Sequence, residues 1–186
     1  MQADLAVAKE QIASRDAWLR AAERFTKIEQ QLAPLGLHAG LHNHTEEWTK
    51  TGSGETGWEI VFANTPASFV QEIDTCHCLE GGGNPLAMIC QYPGRTRLIH
   101  LKEFPRNHAP VNEAADDPYQ SGKKLNRFGD GKVPWTDLFA ACESVGGTEW
   151  YIMGLWMGAN PIEGRDLETA RPMIDFMRRC GRVQAA

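Results

Sequence analysis

The sequence predicts an α/β fold: a parallel sheet of about four strands, each joined to the next through a helix. Three observations carry this. Segments of strand and helix patterning alternate along the chain, which calls for parallel strands with crossover helices. The strand cores Phe69-Val70, Leu98-Ile99 and Tyr151-Ile152-Met153 are apolar on consecutive residues, as expected when both faces of a strand are covered. Hydrophobic residues make up 42% of the 186 residues and charged residues 23%, enough apolar material for a core. No internal repeat or low-complexity tract interrupts the alternation, and one domain is expected over residues 1–186.

The elements follow in order. A weak helical segment over Ala3 to Ala13 precedes a clear helix over Asp16 to Ala33. There Trp18, Ala22, Phe25, Ile28 and Leu32 form one stripe at spacings of three and four, and Pro34 and Gly36 end it. Leu37 to His44 reads as the first strand. A loop rich in Gly and Thr over Thr49 to Gly57 leads to a short helix near Trp58 to Ala63. Ser68 to Asp74 is the second strand, and Asn84 to Gln91 a short helix with Pro85 in its first turn. Thr96 to Lys102 is the third strand. Phe104 to Val133 is polar and aperiodic, a length that in a compact domain signals a functional loop. Pro134 to Val145 is a helix stopped by Gly146-Gly147, Glu149 to Leu155 the fourth strand, and Arg165 to Arg179 the closing helix.

Composition excludes several classes. The formal charge of −5 argues against a protein that grips nucleic acid through a basic face. No run of 18 apolar residues exists, so no membrane span is expected. Met1 to Arg15 has neither the apolar stretch nor the basic flank of a secretory signal. The odd count of five cysteines, irregularly spaced, forms no disulfide framework, and a reducing, cytoplasmic setting is expected.

Polar groups gather where strands end, the edge that carries the site in α/β folds. The first strand ends in His42-Asn43-His44, with Glu46 and Glu47 beyond. The second ends in Asp74-Thr75-Cys76-His77 and the third in His100-Leu101-Lys102-Glu103, so four of the six histidines lie in three short stretches. Alternation places His42 with His44, and His100 with Lys102, on shared faces. A carboxylate and two imidazoles from neighbouring strand ends suit a divalent metal such as Zn, Mn or Co. Cys76 and Cys78 flank His77 but are directed away from it by the strand pleat, as packing residues.

At this point the chain resembles a family. His42-Asn43-His44 with Glu47, Ile73-Asp74-Thr75-Cys76-His77, Tyr92-Pro93-Gly94-Arg95, Ile99-His100-Leu101-Lys102, Gly129-Asp130-Gly131-Lys132-Val133-Pro134-Trp135 and Glu149-Trp150-Tyr151-Ile152 occur in the order found in xylose-isomerase-like TIM barrels, the sugar phosphate isomerases and epimerases. The resemblance implies a metal-dependent site at the carboxyl end of the barrel, acting on a small carbohydrate by proton transfer next to a carbonyl. It implies Asp74 and His100 as metal ligands, with His42 (or His44 of the same strand) where many relatives have Glu. The fourth ligand, a Glu in relatives, falls on or near Gly154, which has no side chain to offer. The resemblance further implies that His77 and Arg106 contact the substrate, with His44 beside them, and that Glu47 or Lys102 carries the proton. The superfamily's zinc endonucleases need further ligands where this chain reads Lys123-Lys124-Leu125, so a DNA-repair role is not expected.

Only four strands are visible, matching the last four of the family pattern. The fold expected is therefore a half or truncated (β/α)8 barrel. Four such strands leave two open edges and an apolar inner face. A homodimer closing the barrel about a two-fold axis is expected, or another chain supplying the N-terminal half. The rival expectation is a partial barrel that binds a sugar or a partner chain without turnover.

Overall fold

The computed structural model describes residues 14–104, 128–129, 131–154 and 166–182, with side chains from residue 170 in the last stretch. Helix α1 (Arg15–Leu32) opens it, capped by Ser14, whose hydroxyl accepts from Ala17 N–H. The stripe is displaced from the expected one. Trp18 and Ala22 are buried and Phe25 stacks on Phe69, but Ile28 is exposed and Glu29 takes the inward place. A buried carboxylate needs partners, and Glu29 has them: it meets His38 Nδ1 at 2.8 Å and accepts Ala39 N–H at 2.7 Å.

The first strand is shorter at both ends than the expected Leu37 to His44. β1 is Gly40–His42, followed by β2 (Val70–Asp74), β3 (Leu98–Leu101) and β4 (Trp150–Met153). They form one sheet in the order β1-β2-β3-β4, every pair parallel. Between β1 and β2 stands α2 (Gly57–Ala63), which opens on a capping box: Thr56 accepts Glu59 N–H and Glu59 accepts Thr56 N–H. Two helices follow β2, α3 (Thr75–Glu80) and α4 (Pro85–Gln91). Helix α5 (Trp135–Ala141) continues into a π-helical turn, Cys142–Gly146, before β4, and α6 (Asp166–Arg179) closes the order.

α3 was not expected. Thr75, Cys76 and His77 leave the strand and turn helical at once because Asp74 caps them, its Oδ1 accepting His77 N–H at 2.9 Å. Cys76 and Cys78 are buried, as packing residues, but on a helix. Burial pushes the Cys76 thiol up to about 12. The expected helix over Ala3 to Ala13 and most of the stretch from Phe104 to Val133, Arg106 included, lie outside the described residues.

The two sheet faces differ. One packs on the helices through Ile73, Ile99 and Leu101, all fully buried. Buried Gln71 accepts from Trp58 Nε1–H and donates to Thr96 Oγ1. The cross-strand register puts His42, Glu72, Asp74, Leu98, His100, Trp150 and Ile152 on the other face. Trp150 is 65% exposed and Ile152 39%. Met153, on the helix face, is exposed as well, so among the apolar residues of β4 only Tyr151 is half-buried, against the expectation that both faces would be covered. Arg95, in the Tyr92-Pro93-Gly94-Arg95 run, is buried and structural: it donates to the carbonyls of Phe69 and Phe62, tying α2 to the start of β2.

Candidate metal centre

Three strand ends converge at the carboxyl edge of the sheet. Asp74 and His100 are register partners on β2 and β3, and His42 pairs with Glu72, one pleat below Asp74 on the same face. The nitrogen and oxygen ligand atoms of His42, Asp74 and His100 lie within 4.8 Å of one another. His100 Nδ1 is 3.1 Å and His42 Nε2 3.9 Å from Asp74 Oδ2. The imidazole rings are 5.0 Å apart between centroids.

Asp74 is fully buried, and its backbone is fixed first. Asn43, buried between the two histidines of its run, accepts Asp74 N–H at 2.8 Å and donates to Asp74 carbonyl oxygen at 3.2 Å. With Oδ1 engaged at the start of α3, Oδ2 remains buried without a hydrogen bond. Burial raises the carboxyl pKa, but His100, the His77 N–H and the Lys102 ammonium outweigh it and hold the group at about 2. An ionised, buried oxygen with no hydrogen bond, faced by two imidazole nitrogens, is a donor set that a divalent cation fits.

The neighbours are charged and paired. Lys102 is buried, with Nζ 3.6 Å from Asp74 Oδ2 and 3.0 Å from His77 Nε2. His77 Nδ1 lies 3.2 Å from Glu80 Oε2. Burial and the Lys102 charge lower the His77 pKa against the pull of Asp74 and Glu80, so His77 is neutral: it accepts from Lys102 and donates to Glu80. Glu72 Oε1 faces His42 Nδ1 at 3.6 Å, and the His42 side chain holds the Glu72 carboxyl below its usual value. Glu47 accepts His44 N–H at 2.7 Å, and the exposed His44 ring stands 5.1 Å from His77.

Gly154 has a steric reason. A Cβ built there would overlap His100 Nε2: the His100 ring occupies the space a side chain at 154 would need. Of the residues singled out from sequence, His42, His44, Asp74, His77, His100 and Lys102 form one connected cluster, with Glu47 at its rim. Arg106 lies outside the described residues. Sequence reasoning missed Asn43 and Glu72. Glu72 was within reach, since alternation from Asp74 puts it on the same face; Asn43 shows itself only through its cross-strand bonds.

A parallel sheet with helices on one face, and its chemistry-bearing side chains at the carboxyl ends of successive strands, defines a protein of the α/β barrel class. Within that class the chain belongs to the xylose isomerase-like TIM barrel family, whose pattern matches residues 4–180. Its curated relatives include inosose dehydratases from Lacticaseibacillus casei, 23% identical over 154 residues (80% of this chain, 51% of the relative), and from Bacillus anthracis, 21% identical over 156 residues (81% and 52%). Among solved structures, a sugar phosphate isomerase/epimerase from Parabacteroides distasonis superposes with a TM-score of 0.66 at 16% identity, covering 92% of this chain and 57% of that one. A D-psicose 3-epimerase determined in the presence of D-fructose gives 0.54 at 15% identity, covering 90% and 57%. The chain therefore spans about half the length of the curated relatives it matches. No helix among the described residues is long and apolar enough to cross a membrane.

Proposed function

We propose that this chain binds one divalent cation through His42, Asp74 and His100 and moves a proton next to the carbonyl of a small carbohydrate or related polyol. The observation that carries the proposal is Asp74 Oδ2, buried without a hydrogen bond and flanked by two imidazole nitrogens. The relatives' names add a common denominator. Isomerases, epimerases and a dehydratase of a keto-polyol can all begin by removing a proton from carbon next to a carbonyl. A cation at this place would supply Lewis acidity, polarising a carbonyl oxygen.

The remaining tasks fall to the chain's own groups. Lys102 is the better proton carrier of the two candidates: its ammonium sits beside Asp74 and is held by neutral His77, which passes the interaction on to Glu80. Glu47 acts as a base only by releasing His44 N–H. His44 and His77 face the cluster from the β1 and β2 ends and are the substrate contacts we assign, with Arg106 from the long loop. As partner we propose a second copy, closing the sheet into a barrel.

One observation favours a second reading. With His100 filling the space at Gly154, the fourth strand contributes no ligand, and the chain would hold a cation and a sugar without turnover. Two measurements on the purified chain decide. Titration with Zn, Mn or Co is expected to give one bound equivalent, lost at least about 100-fold in D74N. Proton NMR in deuterated water, across a panel of ketoses and inososes, is expected to show metal-dependent exchange at carbon next to the carbonyl. Metal binding with no exchange selects the second reading, and no metal binding overturns both.

A further inference from the structure

We infer that Glu72 is the positioning residue of the metal centre: it fixes the tautomer of His42 so that Nε2 is the ligating atom. The inference deepens the proposed function and rests, for its metal arm, on His42 being a ligand. The two ring nitrogens of His42 face different carboxylates. Nδ1 looks along the sheet to Glu72 Oε1 at 3.6 Å, and Nε2 looks up to Asp74 Oδ2 at 3.9 Å. A neutral imidazole carries one proton, and the nitrogen without it offers the lone pair. If Nε2 held the proton, it would point at Asp74 and could not ligate.

Glu72 decides between these forms. Its carboxylate favours the proton on Nδ1 and leaves the Nε2 lone pair directed at the cluster, an arrangement common for metal-bound histidines, where an outer carboxylate orients the ring. The backbone places it there: Glu72 is the register partner of His42 and lies two residues before Asp74 on the same face. Yet it stands apart from the cluster of ligand atoms, so it acts through His42. Among the described residues, His42 is the group that holds the Glu72 carboxyl most strongly, one pleat below the centre and beside the apolar residues Val70 and Leu98.

The test has an arm independent of metal. In mildly alkaline, metal-free buffer, long-range 1H–15N correlation spectra are expected to show His42 as the Nδ1–H tautomer in the wild type and redistributed in E72Q. A wild-type His42 carrying its proton on Nε2 overturns the inference whatever the metal does. The second arm titrates Co, read by visible absorption and calorimetry, into the wild type, E72Q, H42E and H42E/E72Q, each verified as folded by circular dichroism. E72Q is expected to weaken Co binding 10- to 100-fold beside His42. Beside a carboxylate at 42, where Glu72 becomes a like charge, the same change should leave binding unchanged or tighten it. An equal loss in both backgrounds, the mark of a structural role, overturns the inference, as does no loss in either. A wild type that binds no Co while showing the Nδ1–H tautomer sinks the metal centre but leaves the Glu72–His42 pairing standing.

Discussion

Asp74 is where stability and function meet in one side chain. Its buried carboxylate caps α3 and balances Lys102 and the flanking imidazoles, while Asn43 holds its backbone. Its folded pKa of about 2 lies below the ordinary value of 3.8, a difference worth about 2 kcal/mol. A depressed carboxyl pKa contributes stability that is fully present above the unfolded value and lost as pH falls through the folded one. Urea unfolding of the metal-free chain should therefore show this component at about pH 5 and lose it on the way to about pH 2. D74N should be less stable at the higher pH and lack that segment of the profile; an unchanged profile in D74N would place the acid sensitivity elsewhere. At this scale the three candidate ligands were legible, because alternation along parallel strands puts strand-end side chains on one face whatever the details of packing. Asn43, and the overlap between His100 and any side chain at 154, were not, since both depend on cross-strand distances that no single segment encodes.

Elements show the same division. α2, α4 and α5 were legible from apolar periodicity and from Pro85 at a first turn, whereas α3 was hidden because Asp-Thr-Cys-His continues an apolar strand in pattern while its carboxylate caps a helix in space. Glu103 is the stronger case. In sequence it is one acidic residue after a strand; in the structure it is buried and accepts from Phe104 N–H, Gly129 N–H, Val133 N–H and Trp135 Nε1–H. A Cβ at Gly131 would overlap its carboxylate, so the Gly-rich run before α5 is shaped around this side chain. Donors converging on one charge are worth more than ordinary hydrogen bonds. E103Q, which turns an amide NH2 toward those donors, should cost roughly 2 kcal/mol. Hydrogen exchange should speed up at Gly129 and Val133 while the amides of β2 keep their protection. Uniform loss of protection would mean that Glu103 supports the whole sheet rather than this segment.

The whole molecule poses a problem of exposed edges. Among the described residues β1 and β4 each have no strand on their outer side, and the face carrying the candidate centre also carries Trp150 and Ile152 in contact with water. Large side chains in that state usually mark an interface, and open edges of parallel strands invite pairing. The four strands point the same way, so a two-fold axis along them would set β4 of one copy beside β1 of its partner in parallel. It would also bring both inner faces together with both candidate centres at one mouth. Sedimentation of the purified chain should report twice its mass. W150E puts a charge on a residue already 65% exposed in the single chain, so it should yield a folded monomer rather than an unfolded one. A wild type that sediments as a stable monomer at micromolar concentration, with Trp150 fluorescence still reporting contact with water, would remove the two-fold closure and leave the open face to a different partner.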